Sequence, residues 1–212
     1  DIERFSIPGK KLIRLPAIAH DMGIISYKGS FTGFTTDFVS FGKLTTERGT
    51  FATDLSLRPD GRNTFGFKGS IRTSDVDLGY ITRNEEMFGG LWMHADLEGS
   101  MESFRRLSAT ISGVVDSVEI NKYLYRNINV SGTYADRVWD GNVRVKEPNI
   151  EMDLMGRFDL EKNMPEFDFS MNLAYADLHT LNLVKKDSVF NASALVTANF
   201  RGNRADNIEG DL

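Results

Sequence analysis

Residues 167–173 read FDFSMNL, and this alternation of apolar and polar side chains decides the fold class. Phe167, Phe169 and Met171 share one face of an extended chain, because successive side chains of a β-strand point to opposite faces. Residues 65–71, FGFKGSI, alternate in the same way earlier in the chain. Such alternation predicts antiparallel strands in a sheet with one apolar face and one face in water.

The chain also nearly repeats itself. Gly42 aligns with Gly141 at an offset of 99 residues, and after a longer loop Phe67 aligns with Phe169 at an offset of 102. A recurring set of strands indicates a modular sheet that is extended by adding units. The sequence therefore predicts one continuous sheet of about eleven strands, with a linker and short helix in residues 1–23, a first repeat in residues 24–118 and a second repeat in residues 119–212.

Composition disfavours several classes of function. The 212 residues carry a net charge of −5, which disfavours nucleic acid as a partner. The sequence has no cysteine, so disulfides and zinc sites of the cysteine type are impossible. No apolar run approaches the roughly 18 residues of a membrane helix. We expect no cofactor and no metal ion.

An uncovered apolar face is the main physical consequence of the strand pattern. About eleven strands spaced ~4.8 Å apart form a ribbon roughly 50 Å long, and the sequence contains no long amphipathic helix to cover it. An apolar face of this size does not stay in water. Either the sheet folds on itself as a β-sandwich, or it curls into a trough with an apolar interior. Curling is favoured by glycines in the apolar register, which mark bends or close approaches: Gly33, Gly42, Gly69, Gly113, Gly132, Gly141 and Gly156.

Side chains that carry catalysis or bind metals are scattered along the sequence. His20, His94 and His179 are far apart and lack the spacing of metal ligands. No nucleophile elbow, phosphate loop or dinucleotide motif is present. We therefore predict that the chain is not an enzyme. Four aromatic residues that are not clustered in one loop are expected to pair on the sheet rather than to stack on sugars: Trp92, Trp139, Tyr123 and Tyr125.

Acidic residues recur at matched places in the two repeats. Asp54 matches Asp153, and Asp75 matches Asp177. Acids repeated in this way are typical of turn caps or outward-facing charges rather than of an acid/base pair. Two helix-permissive segments begin near these positions: residues 74–78, for which Ser74 or Asp75 is the predicted cap, and residues 177–181, for which Asp177 is.

Several phrases of the sequence resemble one protein family. Residues 25–34, ISYKGSFTGF, are followed by DF at 37–38, and residues 123–128, YLYRNI, are followed by WDG at 139–141 and EPN at 147–149. An aspartate–leucine turn then follows a strand at 177–178. On these phrases, nearly all of residues 24–212 resembles the TamB-like members of the AsmA-like envelope proteins of Gram-negative bacteria.

The resemblance implies a long β-sheet trough, the β-taco, that bridges the periplasm and conducts phospholipid between membranes. It also implies a link to outer-membrane protein assembly and secretion, with a barrel partner of the TamA/BamA kind that other parts of the parent protein would contact. The parent protein would be anchored in the inner membrane outside this segment. Glu147 departs from the family pattern, in which aspartate is commoner, and the family's membrane anchor and C-terminal domain are not in this sequence.

We expect phospholipid acyl chains to bind non-covalently along the apolar face. Two alternatives stay open: a structural or carbohydrate-binding β-sandwich, and a chaperone whose open edges near Ile25 and Ile208 capture strands of outer-membrane proteins. Such edges would also allow copies of the chain to associate edge to edge. The residues predicted to line the lipid groove are Phe51, Leu55, Phe65, Phe67, Ile71, Met93, Leu97, Ile111, Val130, Val143, Val145, Ile150, Met152, Leu154, Phe167, Phe169, Met171 and Leu173.

Overall fold

The computed structural model describes residues 22–34, 37–60, 64–103, 106–160, 164–184, 190–202 and 209–211. Within these ranges the chain forms twelve β-strands and one short helix. Of the linker and short helix predicted for residues 1–23, only Met22 and Gly23 lie within the described residues. The Met22 carbonyl accepts a hydrogen bond from the backbone N–H of Glu47 at 3.3 Å.

The strands form a single antiparallel sheet in the order of the sequence, so each strand lies between its predecessor and its successor. The predicted all-β class, with one antiparallel sheet, is confirmed. The bounds are β1 Ser26–Phe34, β2 Asp37–Thr46, β3 Gly49–Pro59, β4 Phe65–Asp77, β5 Phe88–Ser103, β6 Arg106–Ile120, β7 Tyr123–Ala135, β8 Val138–Glu147, β9 Ile150–Asp159, β10 Glu166–Asp177, β11 Asn191–Arg201 and β12 Glu209–Asp211, with the helix α1 Leu78–Thr82 between β4 and β5.

Tight two-residue turns set the register in the middle of the sheet. The turn between β6 and β7 contains Asn121 and Lys122, with φ of 51° and 63°. The turn between β7 and β8 contains Asp136 and Arg137, with φ of 49° and 65°. Two successive residues with positive φ form the type I′ turn, whose twist matches that of paired strands. These turns therefore fix which side chains share a face.

The antiparallel order divides the connections between two ends of the strands. The connections after β2, β4, β6, β8 and β10 leave the sheet at one end, which we call the capped end. The connections after β1, β3, β5, β7, β9 and β11 leave it at the other, which we call the open end. Both helix-like segments, after β4 and after β10, consequently lie at the capped end.

Strands β1–β6 and β7–β12 occupy corresponding places in the two halves of the sheet. The backbone N–H of Asp77, the last residue of β4, donates to the carbonyl of Arg48 at 2.9 Å. The backbone N–H of Asp177, the last residue of β10, donates to the carbonyl of Asn149 at 2.9 Å. Asp77 is therefore the structural counterpart of Asp177, and the sequence match of Asp75 with Asp177 is wrong.

The first helical segment begins later than the sequence predicts. Residues 74–78 largely continue β4, and the cap of α1 is Asp77, whose Oδ1 accepts the backbone N–H of Tyr80 at 2.9 Å. The predicted caps Ser74 and Asp75 are wrong. The reason is a bulge in the pairing of β4 with β5. From Thr73 to Val76, β4 contains one residue more than the paired part of β5, and Asp75 in this bulge takes a φ of 53°.

The sheet stays open rather than folding back on itself. All the described strands belong to one sheet, so they do not form the predicted alternative, a β-sandwich. The accessible surface is 14800 Å², against about 9,900 Å² for a compact monomer of 23.8 kDa. An open sheet contributes to the excess, because both of its faces remain in contact with solvent.

Candidate functional site: the apolar face of the sheet

Cross-strand pairing places all the residues predicted to line the groove on one face, which we call the apolar face. Residues directly opposite each other in antiparallel strands share a face. Leu97 pairs with Ile111, and Val143 pairs with Leu154, and the same rows continue across the sheet. Most of these side chains are only partly buried. Two of them are buried, Val145 and Ile150.

Four phenylalanines form an aromatic cluster near the open end of the apolar face. The rings of Phe167 and Phe200 stack with centroids 5.0 Å apart, and Phe158 meets Phe167 edge to face at 5.9 Å. Phe169 lies 6.1 Å from Phe158 and 6.3 Å from Phe200. Centroid separations of about 4.5–7 Å are those that aromatic pairs prefer. All four residues remain partly exposed, so the cluster presents aromatic surface to solvent.

Aromatic rings lie over glycines of the same face. A Cβ atom added to Gly132 or to Gly141 would come within 2.7 Å of the Trp139 indole. A Cβ atom added to Gly99 would come within 2.9 Å of the Phe67 ring. Glycine at these positions gives the ring of a neighbouring residue room to lie flat against the sheet. Each of these rings thus lies close against the backbone of a glycine on this face.

The capped end of the apolar face is closed by residues 178–184, which we call the cap segment. Leu181 is 0 % exposed and is the largest fully buried side chain among the described residues. It belongs to one hydrophobic cluster with residues of five successive strands, which implies that the apolar face is concave here. The other buried members are Val118 of β6, Tyr125 and Ile128 of β7, Val145 of β8, Ile150 of β9 and Ala176 of β10.

Hydrogen bonds hold the cap segment across the sheet. Asp177 Oδ1 accepts the backbone N–H of Thr180 at 3.1 Å, and this bond lowers the pKa of the Asp177 carboxyl. Asn182 Nδ2 donates to the carbonyl of Asn121 at 3.0 Å, and Asn121 Nδ2 donates back to the carbonyl of Asn182. Strands β7 to β10 lie between Asn121 and the cap segment, a width of about 14 Å in a flat sheet. The cap segment therefore reaches over the concave face.

One carboxylate lies beside the closed end. Burial raises the pKa of Glu147, against the lowering effects of a hydrogen bond from Tyr123 and of the nearby charge of Arg126. One carboxylate oxygen of Glu147 is buried without a hydrogen-bond partner. The Tyr123 hydroxyl also accepts a hydrogen bond from Asn149 Nδ2 at 3.0 Å. Burial also raises the pKa of neighbouring Tyr125, and electrostatic interactions with Tyr123 and Glu147 raise it further.

The opposite face is polar and carries paired ionisable side chains. Lys68 Nζ lies 2.8 Å from Glu98 Oε2, and His94 Nδ1 lies 3.1 Å from Asp116. An open groove of about 880 Å³ lies along this face from β1 to β7. Both acidic and basic side chains line it. Its charged and ionisable lining residues are Lys28, Lys43, Asp54, Arg72, His94 and Asp96.

The acids Asp54 and Asp153 face outward, as predicted. Asp54 is exposed on the polar face, opposite Ser70 of β4. Asp153 forms an ion pair with Arg144, its direct partner on β8. Each acid therefore contributes to the charged, solvated side of the sheet.

The four aromatic residues considered for sugar stacking do not form a common platform. Trp139 lies on the apolar face, whereas Trp92 precedes Met93 of the apolar face and points to the polar one. Tyr123 and Tyr125 pair edge to face at the capped end, with centroids 4.8 Å apart. The tyrosines pair with each other, as predicted.

The three histidines are not brought together among the described residues. His94 is on the polar face and His179 is exposed in the cap segment, while His20 lies outside the described residues. Within the ranges that the structure describes, no group of three or more His, Cys, Asp or Glu side chains is arranged to hold a metal ion. No helix in those ranges has the length and apolar character needed to cross a membrane.

Sequence reasoning did not assign Leu181, Phe158 or Phe200 to the site. Phe158 and Phe200 both belong to alternating rows, so the strand pattern alone would have placed them on the apolar face. Leu181 carries no comparable signal, because its burial depends on residues of strands far away in the sequence.

No family model matches this chain. Neither a curated protein nor a solved structure matches it significantly.

Proposed function

We propose that this chain binds phospholipid acyl chains non-covalently on its apolar face and serves as a non-catalytic segment of a lipid conduit in the bacterial cell envelope. In this proposal it is part of a TamB-like protein that spans the periplasm and supports phospholipid transport, outer-membrane protein assembly and secretion, or both. The sequence phrases that resemble the TamB-like family support this assignment.

The observation that carries the proposal is the continuous apolar face that no second layer of the described chain covers. Its side chains are mostly half-buried, and four phenylalanine rings at the open end contact solvent. An exposed apolar surface of this extent marks a binding site. An acyl chain suits it, because each buried methylene contributes about 0.8 kcal/mol without any polar partner.

A charge on the apolar face should prevent lipid binding, because an unpaired charge is costly only where its surroundings are dry. We expect Phe67→Asp and Phe169→Asp to abolish co-purification of phospholipid, measured by native mass spectrometry and by organic extraction. The matched controls are Lys68→Asp and Ser170→Asp, whose side chains are exposed on the polar face. Both controls should retain lipid.

Three outcomes of this experiment are informative. A wild-type protein that carries no phospholipid and binds no labelled lipid refutes the proposal. If all four variants retain lipid, the apolar face is not the binding surface. Loss of the β-sheet circular-dichroism signal and of cooperative melting in both phenylalanine variants would instead assign these rings to a packed core.

A second candidate function is capture of an extended β-strand at the outer edge of β11. Among the described residues, β12 pairs only with residues 199–201, so residues 191–198 pair on one side only. This stretch reads NASALVTA and contains neither a charge nor a proline, the usual protections of an edge strand. A β-signal peptide should therefore shift the protein in size-exclusion chromatography. Leu195, which is 83 % exposed, provides the variant Leu195→Lys, which should abolish the shift.

A further inference from the structure

We infer that the hydrophobic cluster around Leu181 is an end wall that limits the length of the acyl chain bound on the second half of the apolar face. This inference rests on the proposed lipid-binding function. It adds a direction to it: the acyl chain lies along the strands, with its methyl end toward the cap segment and its polar end toward the open end.

On β9 and β10 the apolar-face residues nearest the capped end, Ile150 and Ala176, are buried, and those that follow toward the open end are only partly buried. On β9, Ile150 is 8 % exposed within the closed cluster, whereas Met152, Leu154 and Phe158 are only partly buried. The uncovered part runs from Met152 to Phe158, six residues or about 20 Å at the rise of a β-strand. On β10 the paired row runs from Leu173 to Phe167 without a polar side chain on this face. An extended acyl chain therefore finds an uninterrupted apolar path that ends at the cluster.

The two ends of this path differ in the polar groups they accept. At the open end, Arg137 and Leu160 are exposed, so a lipid head group placed there stays in water. At the capped end, a head group would be pressed against a cluster whose central leucine is 0 % exposed. Burying a polar group without partners is unfavourable. The methyl end is thus the end that meets the wall.

Leu181 supports the end wall from the side that faces away from the bound acyl chain. Met152 and Leu173 are partly buried and pack against the cluster from its open side. Removing the side chain of Leu181 leaves a cavity, which the flexible side chain of Met152 is suited to enter. The apolar path then becomes longer, so longer acyl chains make contacts that they cannot make in the wild-type protein.

The test measures the Kd of straight-chain fatty acids from decanoic to stearic acid by fluorescence displacement. In the wild-type protein the Kd should fall about fourfold per added methylene and then reach a plateau at the length that fills the path. In Leu181→Ala the plateau should move to longer acids. Leu181→Val, which removes less volume, should move it less and provides a second folded variant if Leu181→Ala unfolds. The matched control is Ile81→Ala at the corresponding position of the first half, which should leave the plateau unchanged.

The outcomes separate this inference from the function on which it rests. If no fatty acid binds the wild-type protein, the proposed function itself fails. If fatty acids bind but the Kd keeps falling with length, or the plateau is the same in folded Leu181 variants, acyl chains do not end at this wall and the inference is overturned. A plateau that moves equally in Ile81→Ala also overturns it, because the effect would not be specific to the cap segment.

Discussion

The segments that follow β4 and β10 begin alike and end differently. Each begins with an aspartate whose backbone N–H donates to the preceding turn of the neighbouring hairpin, and whose carboxylate accepts the N–H three residues later. After this shared start, Leu78–Thr82 forms the helix α1, with the guanidinium of Arg48 lying 3.7 Å from the centre of the Tyr80 ring. After β10 the chain forms a turn instead, with Asn182 at a φ of 58°.

The difference decides whether the end of the apolar face is closed. Ile81 and Leu181 occupy the same position in the sequence relative to their capping aspartates. Nevertheless, Ile81 is partly buried and Leu181 is 0 % exposed. Leu181 is buried because strands β6 to β10 curve around it and because Asn182 and Asn121 exchange hydrogen bonds. The aspartate thus determines where the chain leaves the sheet, and the curvature of the strands determines what the chain then covers.

The largest effect that tests this comparison is loss of the Leu181 side chain. Leu181→Ala should lower the free energy of unfolding by about 2–5 kcal/mol, the range for a large buried aliphatic side chain that leaves a cavity. Ile81→Ala should cost markedly less, because its side chain is already partly in solvent. Urea denaturation followed by circular dichroism measures both. Equal losses would show that the two segments are packed alike.

A smaller effect should come from the capping aspartates. Asp77→Ala and Asp177→Ala each remove an acceptor for an N–H at the start of the segment, which is typical of helix caps. We expect each to lower the Tm by a few degrees, and Asp177→Asn, which keeps an acceptor oxygen, to lower it less. Differential scanning calorimetry provides the measurement. If only one of the two alanine variants lowered the Tm, the two aspartates would not have the same capping role.

The capping role of Asp177 also has a pH dependence of known sign. The hydrogen bonds from Thr180 lower the pKa of Asp177 in the folded protein below its ordinary value of 3.8. Its contribution to stability is therefore present above that value and is lost as the pH falls through the lowered pKa. The difference in Tm between the wild-type protein and Asp177→Ala should shrink in strong acid.

The strands can be predicted from the sequence, because the alternation of apolar and polar residues shows which side chains share a face. Phe67 and Phe169 were assigned to the apolar face, and their pairing places them there. The sequence does not predict the cap of α1 correctly. The irregularity at Asp75 shifts the end of β4, and the local sequence pattern does not indicate this irregularity. Leu181 was missed for a different reason: its burial depends on strands as distant in sequence as β6, a tertiary effect that periodicity does not contain.

The smallest expected effect concerns Glu147, which ends β8 beside the closed end. The corresponding strand of the first half, β2, ends at the uncharged Thr46. Because burial raises the pKa of Glu147 in the folded protein, the protonated form favours folding. That contribution is complete below the unfolded pKa, about 4.5, and is lost as the pH rises through the raised folded value. Glu147→Gln, which is neutral at every pH, should therefore raise the Tm slightly at neutral pH, and the gain should disappear in mild acid.

The control is Glu151→Gln, since Glu151 is exposed and pairs with Lys146 at 3.1 Å, so its replacement should not stabilise the protein. A Tm gain for Glu147→Gln that persists unchanged into mild acid would mean that charge burial beside the cap segment is not its source.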